Sequence, residues 1–490
     1  MGSIATDKIE TRLFINGNFT ESSDGKTFQI KSPATREVVA HVSEASEQDT
    51  DAAVAAAKAA FPAWSALSPA DRGVYLKKLA ALLHETSDEL SRLEALSMGR
   101  PVSTYFDAHA AASTFEHYAE TGWEAQGVSS LNTPGFVNMT FKQPYGVVAA
   151  IIPWNVPLVF FANKVAPALA AGNTVVLKSS EKAPLTSAKV ATLIARVGFP
   201  AGVLNVISGH GATSGAILSS HMDVRALSFT GSCRTGRLIQ AAAAKSNLKH
   251  VVLELGGKSP AVVFDDCDLD AAVEETQHSV QFNSGQVCMA NSRVYVQDTI
   301  ADRFVEAFKQ KFANVSAGDP LDAKTTHGPQ ADEAQYNTVQ RYIEAGKASS
   351  TLALGGTKEV RGLSGPSEQG YFVPPTVFLH SPEDAAVMKE EIFGPVVNIN
   401  TFKTEEEVIA KANDSEFGLY SSVYTKNIDR ALRFAKALEA GTVGINCTSP
   451  VIARDMPFGG YKSSGVGREG FGHSLDNFLE TKTVLIKIKS

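Results

Sequence analysis

Val147-Val148-Ala149-Ala150-Ile151-Ile152, closed by Pro153-Trp154-Asn155, is the stretch on which the fold turns. A short apolar, β-branched run bounded by proline reads as a strand. Similar runs recur at Thr174–Leu177, Val203–Ile207, Ala226–Phe229, Val251–Leu255 and Ala261–Phe264, several separated by helical stretches such as Leu185–Ala195. Strands that alternate with helices predict a parallel α/β sheet. The alternation resumes after residue 260 with Arg293–Val296 and the helical Ala301–Phe312, so a second α/β unit is expected, divided from the first near Gly256-Gly257. Toward the N-terminus, Ser46 and Asp49 form a capping box ahead of an Ala-rich helical pattern, and helical patterns continue to about residue 120. Asn16-Gly17 between two apolar segments signals a hairpin. Phe136–Phe141 and Thr481–Lys489 read as strands outside the repeating pattern, and isolated edges of this kind invite pairing with another subunit.

The 490 residues call for about three domain-sized units or two large ones, and 44% hydrophobic with 20% charged residues speaks against disorder, coiled coil and collagen. Lys and Arg number 45 against 52 Asp and Glu, a net charge of −7 with no long basic block, which disfavours nucleic-acid binding. The four cysteines lie far apart, with no CxxC pair and no His at ligand spacing. Neither a disulfide framework nor a zinc or other metal site is indicated, and a reducing, cytoplasmic home is expected. The N-terminus lacks a basic region followed by an apolar one, and no window approaches the roughly 18 apolar residues of a membrane span. Met1-Gly2-Ser3-Ile4-Ala5-Thr6 matches the N-myristoylation pattern, a match short enough to be common by chance.

Taken singly, the chemical motifs are ambiguous. Gly209-His210-Gly211 follows a strand, but Ser214 stands where a dinucleotide fingerprint needs its third glycine. Gly257-Lys258-Ser259 resembles the end of a phosphate-binding P-loop, but Val252 occupies the position of that loop's first glycine. Phe229-Thr230-Gly231-Ser232 closes one strand and opens a helix, which suits a pyrophosphate or, more commonly, makes Ser232 a plain N-cap. Lys178 and Glu181 stand past the C-terminal end of a strand, where α/β sheets bind ligands, although charges there are usually solvated. Cys288, in the flexible-looking segment 283–289, reads as a buried inert thiol when taken alone. Glu254 interrupts an apolar strand, at a cost unless the carboxylate is paired, hydrated or employed. Asn155 is a cap or a donor to a developing oxyanion.

Together they are specific. Phe229-Thr230-Gly231-Ser232, Glu254-Leu255-Gly256-Gly257-Lys258, Gly285-Gln286-Val287-Cys288, Glu391-Ile392-Phe393-Gly394-Pro395 and Pro457-Phe458-Gly459-Gly460 occur in an order and spacing that resembles the aldehyde dehydrogenase superfamily over nearly the whole chain. The resemblance implies a Rossmann-type cofactor domain (residues 1–124 and 145–256), an α/β catalytic domain (257–478) and a small oligomerisation β-element (125–144 and 479–490). It implies Cys288 as nucleophile, Glu254 as general base, and Asn155 with the Cys288 backbone N–H as oxyanion hole, with Lys164 also in the catalytic group. NAD is the implied cofactor, contacted by Lys178, Glu181, Ser232 and Glu391. Ile152, Pro153, Trp154 and Gly211 join that set, as do Phe229, Thr230, Gly231, Leu255 and Phe393. One departure is Ser179, where the family commonly follows the lysine with proline.

The implied reaction is oxidation of an aldehyde to its acid through a thiohemiacetal and a thioester on Cys288, in a homodimer or homotetramer. A cysteine hydrolase would need a histidine partner that no motif supplies. A CoA-acylating relative typically lacks the glutamate found at 254, and a catalytically silent relative would be expected to have lost Cys288 or Glu254. For the aldehyde tunnel, helical spacing puts Val156, Phe160 and Asn163 on one face, and Val287, Met289 and Phe458 extend an apolar wall, with Arg454 at the mouth. Val156 and Asn163 stand where many relatives carry bulky aromatics, so a wide tunnel and a medium-sized aromatic or substituted aliphatic aldehyde are expected.

Overall fold

The computed structural model describes residues 9–360 and 362–489, so the myristoylation match lies outside the described residues. Its centre is an eight-stranded sheet in the order Gly465–Val466, His250–Glu254, Val224–Thr230, Val147–Ile151, Thr174–Ser179, Leu204–Ser208, Leu13–Ile15, Asn18–Thr20. The middle five strands are parallel, and the outer pairings are antiparallel. Helices cover both faces: Val148 and Ala150 join one core cluster, and Val147, Ala149 and Ile151 the other. Burial on both faces is why this strand reads as an unbroken apolar run without alternation. Its two neighbours continue the chain in opposite directions across the sheet, leaving a topological switch point at its C-terminal end.

A seven-stranded second sheet runs Thr351–Leu354, Thr376–Leu379, Val396–Phe402, Arg293–Gln297, Pro260–Val263, Tyr420–Tyr424, Thr442–Ile445, parallel except at the first pairing. The chain passes between the sheets after Glu254 and before Pro260, and returns once when Gly465–Val466 pairs with Leu253 and Glu254. The hairpin forms at Asn16-Gly17, both with positive φ, and the helix Glu47–Ser65 opens on a complete Ser46–Asp49 capping box.

One expectation needs correction. The strands Phe136–Pro144 and Leu479–Lys487 are not isolated, because they pair with each other over nine antiparallel residue pairs. The sequence conceals this because more than 330 residues separate partners such as Phe141 and Lys482 (482 minus 141 is 341). One edge of that three-stranded sheet is the far side of Leu479–Lys487, with Leu485 65% exposed.

Candidate active site

The C-terminal edge of the first sheet collects most of the candidate cofactor residues. Ile152, Pro153 and Trp154 follow Val147–Ile151, and the Ile152 N–H donates to the Lys178 carbonyl at 3.2 Å. Lys178 is buried near the end of the adjacent strand, donates to the Ser179 carbonyl at 2.9 Å and lies 3.9 Å from the Glu181 carboxylate. Burial brings its amine down to about 8, against the opposing pull of Glu181 and Glu44. Ser179 shares a 2.9 Å hydroxyl hydrogen bond with Ser208 of the next strand, so a cross-strand bond fastens the turn that a proline would have stiffened. Gly211 opens the turn Gly211–Gly215 beyond that strand and faces open space.

On the other side of the switch point, Phe229 and Thr230 end their strand, and Gly231 and Ser232 lead into the helix Cys233–Lys245. The Phe229 ring folds so closely under Gly231 that a β-carbon there would collide with it. Ser232 is the N-cap, its Oγ accepting the Thr235 N–H at 3.3 Å. The N–H groups of Cys233 and Arg234 have no partner within the helix, and they and the positive end of its dipole favour an anion. The second unit contributes Glu391, whose Oε1 accepts the Gly257 N–H at 3.0 Å and whose carboxyl is raised by burial to about 7. Phe393 stands edge-on to Trp154 with ring centroids 5.3 Å apart, and the Leu255 N–H donates to the Ser464 carbonyl at 2.8 Å. A helix N-terminus, a lysine, an exposed carboxylate and a side-chain-free turn along one sheet edge form a donor and acceptor set that fits a dinucleotide.

The segment bearing Cys288 is firmly tied rather than loose. A 3-10 turn, Phe282–Gly285, places Asn283 and Ser284 in the left-handed region, and Ser284 Oγ donates to the Gly328 carbonyl at 2.7 Å. Asn283 Nδ2 donates to the Asn155 carbonyl at 3.0 Å, and Gln286 Oε1 accepts the Ala331 N–H at 2.9 Å. The carbonyl of Cys288 comes so near Gly257 that no side chain fits there, which brings the Cys288 segment against the end of the Glu254 strand. Burial first, then the charges of Glu391 and Glu254, push the Cys288 thiol up to about 12.

Glu254 is buried, and neither carboxylate oxygen has a hydrogen-bonding partner among the described residues. Desolvation and Glu469 hold its carboxyl well above the usual range, while Lys164 and Arg468 pull it down. Lys164 does not line the cavity beside Cys288: it is fully buried, 2.7 Å from Glu469 Oε1 and 2.9 Å from Ser228 Oγ, and reaches the site through Glu469. Glu469 was not singled out by the sequence reading; a carboxylate within Gly467-Arg468-Glu469 gave no sign that it would meet a lysine 305 residues away.

A cavity of about 330 Å³ opens onto Cys288 and Asn155. The helix Pro157–Ala170 and its N-cap present Val156, Phe160 and Asn163 to it. Val287, Met289 and Phe458 add apolar wall, and Arg454 lies on the loop at its side. Phe106 and Phe282, absent from the sequence reading, line it too. Among the described residues, no group of three or more His, Cys, Asp and Glu side chains could hold a metal ion, and no helix is long and apolar enough to cross a membrane.

The family model for the aldehyde dehydrogenase family matches residues 19–484. An aldehyde dehydrogenase of Davidiella tassiana is 45% identical over 481 residues, covering 98% of this chain and 95% of the relative. The NAD+ complex of the aldehyde dehydrogenase from Bacillus cereus superposes with a TM-score of 0.96 at 40% identity, covering 100% of this chain and 99% of that one. The indole-3-acetaldehyde dehydrogenase of P. syringae, solved with NAD+ and IAA, gives a TM-score of 0.95 at 39% identity, with 98% and 97% covered.

Proposed function

The chain belongs to the aldehyde dehydrogenase family, and from that premise we propose that it oxidises an aldehyde to a carboxylic acid with NAD through a covalent intermediate on Cys288. The observation that carries the reading is that Cys288 and Asn155 face one cavity while the buried, unpartnered Glu254 ends the strand against which the Cys288 segment packs, close enough for its charge to act on the thiol. NAD, when bound, supplies the hydride acceptor. Lys178, Glu181, the Gly231-Ser232 turn and Glu391 would hold it.

Cys288 must lose a proton before its sulfur attacks the carbonyl carbon, and Glu254 is the base assigned to it. A buried carboxylate without hydrogen bonds is a strong base once ionised, because nothing but its charge-bearing neighbours stabilises the anion. Attack turns the carbonyl oxygen into an oxyanion. Asn155 Nδ2 has two N–H bonds; one is spent on the Gln286 carbonyl at 3.0 Å, which leaves the second, with the Cys288 backbone N–H, for that oxyanion. Loss of hydride leaves a thioester on Sγ. Glu254 releases the thiol's proton to solvent before the second half-reaction and then takes a proton from water; the resulting hydroxide adds to the thioester carbonyl, the carbon–sulfur bond breaks, and the departing thiolate recovers its proton from Glu254 as the carboxylic acid is released.

The cavity's mostly apolar wall, with Asn163 as an interior polar handle, supports a medium-sized aromatic or substituted aliphatic aldehyde. Glu181 supports NAD over NADP, since a carboxylate accepts ribose hydroxyls and repels a 2′-phosphate. The unpaired edge of Leu479–Lys487 supports a homodimer or homotetramer, and four unpaired thiols support the cytoplasm as its location. Initial rates on acetaldehyde, hexanal, benzaldehyde and succinic semialdehyde, followed by formation of reduced NAD, test the reading. Efficiency should be highest for benzaldehyde or hexanal. A clear preference for acetaldehyde would remove the wide-tunnel argument, and no NAD reduction with any aldehyde would remove the function.

A further inference from the structure

Beside the cavity lies a fully buried charge cluster for which the mechanism has no use. The Arg100 guanidinium donates through Nη1 to Asp107 Oδ1 at 2.6 Å and Glu94 Oε1 at 3.1 Å, and through Nη2 to the Thr104 carbonyl at 3.0 Å. None of the three ionic side chains reaches solvent. Burial and the charge of Asp107 hold the Glu94 carboxyl well above the usual carboxylate range, against the opposing pull of Arg100. Such a cluster is a costly way to stabilise a fold, since a well-packed apolar replacement often does as well.

Its geometry points toward the cavity. The guanidinium carbon lies 4.9 Å from the Phe106 ring centroid and 5.3 Å from that of Phe282, both within range of a cation–π contact. Those two rings are 6.0 Å apart and line the cavity together. Phe106 precedes the helix Asp107–Thr121, whereas Phe282 begins the turn that leads to Cys288, so the wall is assembled from both α/β units. Phe106 is 42% exposed and gains little from core packing on its outer side. A planar cation fixed by two carboxyl groups and a carbonyl can hold both rings at once, which a flexible ammonium cannot do.

We propose that Arg100 is a positioning residue for substrate selection: clamped by Glu94 and Asp107, it holds Phe106 and Phe282 as a paired aromatic wall that favours flat, aromatic aldehydes over small aliphatic ones. This rests on the reading of the cavity as the aldehyde site. The test compares benzaldehyde with acetaldehyde in wild-type enzyme, Arg100→Lys, Phe106→Leu and the double variant. In Arg100→Lys the ratio of kcat/KM for benzaldehyde over acetaldehyde should fall about fivefold, the size of one cation–π contact at the lower end of its range. The loss should appear in KM for benzaldehyde rather than in kcat, with KM for NAD unmoved. Phe106→Leu should lower the same ratio, and the double variant should lose no more than the larger single effect. Should Arg100→Lys not fold, Asp107→Asn, which keeps an acceptor while releasing the charge that fixes Arg100, carries the same expectation. An unchanged ratio, equal losses for both aldehydes, or additive losses in the double variant would overturn the proposal alone. Oxidation of neither aldehyde by the wild-type enzyme would overturn the site assignment and this proposal with it.

Discussion

Asn155 donates its side-chain amide to the carbonyl of Gln286 at 3.0 Å, two residues ahead of Cys288, while its own carbonyl receives the Asn283 amide at 3.0 Å. These two bonds join the end of a first-sheet strand to the segment bearing Cys288. Asn155→Ala removes the side-chain bond of that pair and the proposed oxyanion donor, while the backbone carbonyl still receives Asn283. A fall in kcat of about 10²–10³ is expected, the usual cost of losing one such donor. NAD affinity, measured by equilibrium binding, should stay within a factor of about two, because the binding edge is untouched.

Cys288→Ala should abolish aldehyde oxidation while leaving the fold and NAD binding intact, since no other thiol lines the cavity. Glu254→Gln should slow turnover severely and let the acyl-enzyme accumulate, visible by mass spectrometry as an adduct on Cys288. Near-normal turnover in Cys288→Ala would mean that the nucleophile is elsewhere.

Burial pushes the Cys288 thiol up to about 12, so it is protonated at neutral pH and loses its proton more readily as pH rises; desolvation likewise holds the Glu254 carboxyl well above the usual range. Alkylation of Cys288 by iodoacetamide in the free enzyme should therefore climb steadily from pH 7 into the alkaline range. NAD carries a positive nicotinamide ring, which favours a nearby thiolate, so the climb should begin at lower pH with the cofactor bound. A rate flat between pH 7 and 9 without NAD would contradict the desolvated environment of Cys288.

Much of this was legible in the sequence, for a physical reason. The strand Val147–Ile151 is buried on both faces, so burial alone writes it as an apolar run, and the motifs at its C-terminal edge lie in short continuous segments. Long-range pairings left no such trace. Lys164 meets Glu469 only because helix Pro157–Ala170 and the C-terminal loops pack together, and neither residue carries a local periodic signal. Arg100, Phe106 and Phe282 were missed likewise, since an arginine before a proline and two scattered aromatics read as ordinary surface and core. Ser179 stands out in the sequence only as a departure from proline, and its bond to Ser208 is visible only once the strands are adjacent.

Cofactor choice can be tested at Glu181, whose side chain is partly exposed and 3.9 Å from the buried Lys178 amine. NAD should be preferred, and Glu181→Ser should narrow the gap by lifting the repulsion of a 2′-phosphate while leaving Lys178 to attract it. The change should appear as a lower KM for NADP. Equal kcat/KM with both cofactors in the wild-type enzyme would count against the assignment of Glu181.

The strand Leu479–Lys487 has one satisfied side, paired with Phe136–Pro144, and one row of unpaired backbone groups facing outward. Leu485 and Ile486 on it are 65% and 43% exposed, although long apolar edge strands are ordinarily protected by charge, proline or cover. A second copy of the chain that extends the sheet from this edge would satisfy the backbone groups and cover the apolar side chains together. Light scattering at micromolar concentration should give two or four times the 52.0 kDa chain mass. Leu485→Lys combined with Ile486→Lys should shift the population toward monomer without altering the circular dichroism spectrum, because both side chains are exposed and contribute little to the core of their own chain. A wild-type protein that remains monomeric would rule out this edge as the interface, and a mutant that stays fully oligomeric would move the interface elsewhere on the surface.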